Sequence, residues 1–192
     1  MDVEPTAQPR LLTVDEYLAL GETQPGYDEL VEGRVVTSPS PLPDHNHAGF
    51  RAAVRLEPQL PADFEVLLDL DVDLELTPPT SPGFVRRPDL IVVRRTARER
   101  VRRGGGTITA SEVLLVVEFL SPGSQRTDGV VKRGEYADAG IPHYWIVDLT
   151  EPASMLACHL GGEFGYVDGG AVHGVFRSTE PFAVELDLDA LR

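Results

Sequence analysis

Lysine is almost absent from this chain. Of its 17 basic residues only Lys132 is a lysine, and the other 16 are arginines. Cysteine is as scarce: Cys158 stands alone, which excludes an internal disulfide and fits a reducing compartment. No apolar run is long enough to span a bilayer, and the start, Met1-Asp2-Val3-Glu4-Pro5, lacks the basic and apolar regions of a secretory leader. These absences predict a cytoplasmic protein with no membrane partner. Positive charge is short overall, with a formal net charge of −14, which argues against a general nucleic-acid coat.

What is present is ordinary for a globular protein. The 192 residues are 42% hydrophobic and 25% charged, enough for one domain over residues 1–192 with a substantial core. The charge is unevenly spread. Residues 86–103 hold eight arginines (86, 87, 94, 95, 98, 100, 102 and 103) against Asp89 and Glu99, while the flanking segments are acidic. A local basic strip on an acidic body can contact phosphates while the remainder repels them. The alternative for Arg98 to Gly106 is a solvated loop.

The chain reads as alternating elements. Thr13-Val14-Asp15-Glu16 is a capping box that opens a short helix, ending before Pro25-Gly26. Residues 29–36 read as two short strands turning at Glu32-Gly33. A helix is expected from about Asp44 to Glu57. Phe64 to Leu76 alternates so regularly that it predicts one strand, with Glu65, Asp69, Asp71, Asp73 and Glu75 on a solvated face. Those acids span too much length to converge on one ion. The strand 89–93 follows, then an Arg/Gly loop to Ala110, the apolar strand 113–120 and a loop from Ser121 to Thr127. A helix from Asp128, as N-cap, runs to Ala139 and stops at Gly140 before Pro142. Tyr144-Trp145-Ile146-Val147 is a strand, and the tail carries short strands with Gly161-Gly162 and Gly169-Gly170 turns. Strand, helix and strand from 113 to 147 predict a βαβ crossover and a mixed β-sheet flanked by helices.

Three polar residues disturb this apolar pattern. Pro88-Asp89 opens one strand, and Glu118 interrupts another, Val113-Leu114-Leu115-Val116-Val117-Glu118-Phe119-Leu120. Two carboxylates on adjacent strands can share a hard cation such as Mg²⁺, with the Phe119 carbonyl as a possible third oxygen. Lys132 follows Glu118 by 14 residues, and an ammonium there can orient or deprotonate an attacking water. Arginine, always charged and planar, cannot stand in for such an ammonium. Its replacement by arginine is therefore expected to abolish activity with little change in stability. The plainer alternatives are a Glu118–Lys132 or Glu118–Arg ion pair without chemistry, or a helix-surface pair of Lys132 with Asp128.

Pro88-Asp89, Val117-Glu118-Phe119-Leu120-Ser121-Pro122, Asp128, Lys132 and the run from Tyr136 to Asp148 form one ordered series. The series resembles the Uma-two family of putative restriction endonucleases, a branch of the PD-(D/E)XK nuclease superfamily. Upstream, Glu29-Leu30-Val31-Glu32-Gly33, Ser38-Pro39 and His47 extend the likeness, and residues 162–167 extend it downstream. The resemblance implies an α/β (α+β) restriction-endonuclease-like core and a Mg²⁺- or Mn²⁺-dependent endonuclease acting on nucleic acid, DNA in the first instance. It makes Asp89 and Glu118 the metal ligands, Glu29 an assisting acid and Lys132 the catalytic lysine. The superfamily's usual lysine follows the glutamate by two residues, where this chain has Leu120. His47 matches the pattern as a packing or hydrogen-bonding residue, whereas His45-Asn46-His47 matches a different nuclease class by letters only. Nucleic acid is expected to meet Arg86, Arg87, Arg94 and Arg95, and the chain to form a homodimer. The competing reading is a catalytically inactive nuclease-fold module that binds nucleic acid or protein.

Overall fold

A computed structural model describes residues 10–21, 27–38, 40–120 and 127–192, and of residues 127 and 128 the backbone only. The first helix, α1 (Val14–Leu20), begins at the expected capping box: the Thr13 N–H donates to Glu16 Oε2 at 3.0 Å and the Glu16 N–H to Thr13 Oγ1 at 3.3 Å. The expected breaker Pro25-Gly26 lies outside the described residues. Strands β1 (Tyr27–Val31) and β2 (Arg34–Ser38) form the anticipated hairpin. Its two turn residues, Glu32 and Gly33, both have positive φ, 50° and 75°, as a tight two-residue turn requires. Helix α2 (Pro43–Leu56) starts with proline in its first turn and buries Ala48, Ala52 and Leu56, spaced four apart on one face.

The regular alternation from Phe64 to Leu76 is not one strand. It divides into β3 (Phe64–Leu68) and β4 (Val72–Asp73), separated by Asp69 at φ 50°. The halves join different sheets. β3 pairs with β6 (Leu90–Arg94), and β4 with β5 (Val85–Arg86). Nor are its acids a solvated face: Glu65 is buried against Arg98, and Asp71 pairs with Arg87.

The Arg/Gly stretch is also a correction. Residues Arg95–Gly104 form helix α3, anchored by buried Ala97, where a loop was expected. Short β7 (Ile108–Thr109) then precedes the long strand β8 (Val113–Leu120). Thr127–Lys132 is a π-helical turn leading into α4 (Arg133–Asp138), and Gly140 at φ 74° ends it. The loop residues 121–126 and the side chain of Asp128, the expected cap, fall outside the described residues.

The remaining strands are β9 (His143–Asp148), β10 (Ser154–Leu160), β11 (Tyr166–His173), β12 (Val175–Ser178) and β13 (Val184–Asp187). Gly169-Gly170 is not a turn. It lies inside β11 opposite Ala157, as a bulge between the Leu156↔Ala171 and Cys158↔Asp168 pairs.

A six-stranded sheet runs β11-β10-β9-β8-β6-β3, a five-stranded one runs β2-β1-β5-β4-β7, and β12-β13 stands as a hairpin. In the larger sheet β8 and β9 are parallel, joined through α4, so the expected βαβ crossover is present. One face, with Leu90, Val92, Leu115, Val117 and Phe119, packs on α2 and the C-terminal hairpin. The other, with Ile91, Val93, Val116 and Tyr144, packs on Tyr136 of α4, Ala97 of α3 and residues of the smaller sheet. The result is an α+β fold of mixed sheets flanked by helices.

Candidate active site

The site lies where β8 ends beside the start of β6. Antiparallel pairing of Leu90 with Val117, continued by one step, sets Asp89 opposite Glu118. Asp89 is tied to β8 directly, its Oδ2 accepting the Phe119 N–H at 2.7 Å. Because Val117 and Phe119 face α2, alternation along the strand turns Glu118 to the opposite side, toward α4. Glu118 is 3% exposed there. A carboxylate so buried needs donors.

Helix α4 and the preceding turn supply them. Lys132 Nζ donates to Glu118 Oε1 at 3.0 Å, and the Tyr136 hydroxyl donates to the same oxygen at 2.9 Å. The two residues are four apart, and so one above the other on the helix surface. Lys132 is 8% exposed and also lies 3.4 Å from Glu29 Oε1, so its ammonium bridges two carboxylates from two sheets. This burial between two carboxylates gives Lys132 a structural load that the sequence expectation, little change in stability on replacement by arginine, did not include. Burial and the Glu118 charge push the Tyr136 hydroxyl well above its usual pKa, so it stays protonated and donates.

Glu29 stands at the centre of a further chain of contacts. Its Oε2 accepts from Arg86 Nη1 at 2.8 Å and its Oε1 from the Arg87 N–H at 3.1 Å. Burial raises the Glu29 carboxyl, but the Lys132 and Arg86 charges and the Arg87 N–H outweigh it, leaving the pKa below the ordinary value. Arg86 then grips Glu135 of α4 with two bonds, Nε to Oε2 at 2.6 Å and Nη2 to Oε1 at 2.7 Å. One helix face, bearing Lys132, Glu135 and Tyr136, thus clamps β8 of the larger sheet to β1 and β5 of the smaller one.

Of the four arginines expected to meet nucleic acid, Arg86 is 4% exposed and wholly engaged by carboxylates, which gives it an internal task. Arg87 is half-buried, with its Nε 3.3 Å from Asp71 Oδ1 and its guanidinium 5.3 Å above the Tyr27 ring. Arg94 is exposed and stacks over Phe64, while Arg95 pairs with Glu57 at 3.0 Å and Glu65 at 3.4 Å. On α3, Arg98, Arg100 and Arg103 pair with Glu65, Glu112 and Glu99. The basic strip is therefore largely matched by acids brought in from elsewhere in the chain.

Two site residues were missed in the sequence. His45, set aside with the His45-Asn46-His47 letters, places Nε2 2.8 Å from Asp89 Oδ1 from the first turn of α2, its ring against Phe119. His47, expected to pack or bond, is exposed. Asp69 donates its N–H to the Asp89 carbonyl at 3.3 Å. Burial and the Asp89 charge raise its carboxyl pKa. The only available signal was the spacing of His45 from Ala48 and Ala52, which marks it as inward-facing.

Among the described residues no group of three or more His, Cys, Asp or Glu side chains is arranged to hold a metal ion. The donor chemistry, two carboxylates on neighbouring strands, is of the type one kind of cation takes. Mg²⁺ commonly takes one or two protein carboxylates and completes its shell with waters and substrate phosphate oxygens.

No curated protein matches the chain in sequence. Its fold matches the crystal structure of a putative nuclease from Anabaena variabilis, with a TM-score of 0.70 at 19% identity over 94% of this chain and 97% of that one. The model of the Uma2 family, described as putative restriction endonucleases, matches residues 14–180. The chain belongs to that family.

Proposed function

We propose that the protein is a metal-dependent endonuclease that hydrolyses phosphodiester bonds of DNA. The observation that carries this reading is the Lys132–Glu118 contact at 3.0 Å, beside Asp89 on the neighbouring strand. It puts an ammonium next to the carboxylate although Leu120 occupies the strand position where the family's relatives in the wider superfamily carry lysine.

Asp89 and Glu118 would hold Mg²⁺ or Mn²⁺, which when bound supplies charge neutralisation at the scissile phosphate and activation of water. The chain's own residues supply the rest. Lys132, fixed between Glu118 and Glu29, places its ammonium charge beside the carboxylate that would hold the cation, where it acts on the attacking water or the charge developing on phosphate. Glu29 serves as the anchor of that ammonium. Arg86 and Glu135 hold Glu29 and α4 in place. Arg94, exposed at the far end of the strand that Asp89 opens, is the foremost phosphate contact. Substrate approach to so acidic a body depends on the cation, because Asp89, Glu118 and Asp69 would otherwise repel phosphate.

Two copies acting together would address two strands. The exposed side of α2 offers an apolar groove lined by Phe50, Val54, Pro58, Val66 and Leu68, with Phe50 56% and Val54 55% exposed. Edge-to-edge pairing of β3 is disfavoured, since the Val66 N–H is already taken by Glu57 Oε2 at 2.7 Å. A two-fold contact through α2 is the arrangement favoured here.

The inactive-module reading is favoured by one observation, the absence of a third metal-ligating side chain among the described residues. Incubating plasmid DNA, single-stranded DNA and RNA with Mg²⁺, Mn²⁺ or chelator separates the two. Metal-dependent cleavage lost in Asp89→Asn and Glu118→Gln supports the nuclease. Absence of cleavage and of metal binding in the wild type supports the module.

A further inference from the structure

Tyr136 is fully buried, and its hydroxyl spends its proton on Glu118 Oε1 at 2.9 Å. Phenylalanine would fill the same space, so packing does not explain the hydroxyl. The acceptor it meets is the oxygen that also takes Lys132. A carboxylate oxygen has two lone pairs. With both occupied from the protein side, the carboxylate is fixed in rotation. Lys132 alone would not impose this, because an ammonium is a rotatable point charge on a flexible stem. The tyrosine ring is itself immobilised, lying edge-on to Tyr144 at 5.2 Å, which in turn lies 5.8 Å from Tyr166.

We propose that Tyr136 is a positioning residue that orients the Glu118 carboxylate toward its cation, acting through Glu118 and never touching the substrate. The inference rests on the reading of Asp89 and Glu118 as the cation holders. Groups that orient metal-binding carboxylates typically change metal affinity or activity about 10- to 100-fold when removed.

The test compares Tyr136→Phe with Tyr166→Phe. Tyr166 belongs to the same aromatic row and loses an equally inward hydrogen bond, made to the Ile141 carbonyl at 2.8 Å and not to Glu118. Mn²⁺ binding to each full-length protein is followed by titration calorimetry, with Glu118→Gln locating the binding event, and cleavage is measured in parallel. Tyr136→Phe is expected to weaken Mn²⁺ binding about tenfold or more. It should also lower kcat with KM for nucleic acid unchanged, and keep a melting temperature close to that of Tyr166→Phe. Tyr166→Phe should bind Mn²⁺ as the wild type does. Equal Mn²⁺ affinities in the two variants, with a wild type that binds and cleaves, would overturn the positioning role while leaving the nuclease reading intact. A wild type that binds no Mn²⁺ overturns both.

Discussion

Lys132 meets Glu118 at 3.0 Å, although one stands on a helical turn and the other on a strand 14 residues earlier. The ammonium comes from the turn before α4 and is fixed by two carboxylates on strands, Glu118 of β8 and Glu29 of β1.

Replacing this lysine should separate charge from chemistry. Lys132→Arg and Lys132→Ala are both expected to abolish cleavage, since guanidinium neither fits the point-charge role nor releases a proton. Lys132→Ala should also cost about 3–5 kcal/mol in urea unfolding, because it strands buried carboxylates. Wild-type turnover in the Arg variant would reduce the contact to a structural ion pair.

Arg86 is expected to behave as a strut. Arg86→Ala leaves Glu29 and Glu135 without their guanidinium and should lower stability by about 3–5 kcal/mol. Arg86→Lys should recover only part, since an ammonium cannot reproduce the two-bond grip on Glu135. A loss below about 1 kcal/mol in the Ala variant, the range of exposed pairs, would show that the network is loose.

The depressed pKa of Glu29 gives stability a defined acid limb. A carboxyl whose folded pKa lies below the unfolded value of about 4.3 stabilises the fold above that value, and the contribution vanishes as pH falls through the folded pKa. Wild-type stability should therefore drop below about pH 4, and the gap between wild type and Glu29→Gln should shrink over the same range. A gap constant from pH 3 to 7 would place the acid sensitivity in other groups.

Nucleic-acid contact should be read out by salt. Arg94→Ser is expected to weaken duplex binding and to reduce the salt slope by about 0.9, the release expected from one phosphate contact. Arg98→Ser should instead act on stability, because Arg98 holds buried Glu65 at 2.8 Å. The reverse pattern would move the substrate path onto α3.

Self-association through α2 predicts a dimer mass by light scattering at micromolar concentration, reduced to monomer by Val54→Glu. A wild-type monomer across that range removes the two-fold contact.

The residues of the candidate site stood out in the sequence because their markers are local. A carboxylate inside an apolar strand, a Pro-Asp at a strand start and one lysine in an arginine-rich chain all stand out by type and place. The structure brings Glu118, Lys132 and Glu29 into contact, with Asp89 opposite Glu118. The partners that hold them were not legible. Arg86 and Glu135 are 49 residues apart, and neither carries a mark that distinguishes holding a carboxylate from meeting a phosphate. The break at Asp69 was hidden for another reason: period-two alternation continues across it, so the pattern looks the same whether one sheet or two receives the chain. The basic segment misled through composition. Its arginines read as a polar loop, while acids distant in sequence neutralise them on a helix.

The seclusion of Lys132 between Glu118 and Glu29 has a practical side. The sequence offers a single lysine amine, so an isotope-bearing methyl group attached to lysine would report from this one point. With Lys132 8% exposed, labelling of its amine would depend on that centre opening. A label on that one amine would serve as a spectroscopic probe placed at the centre of the clamp.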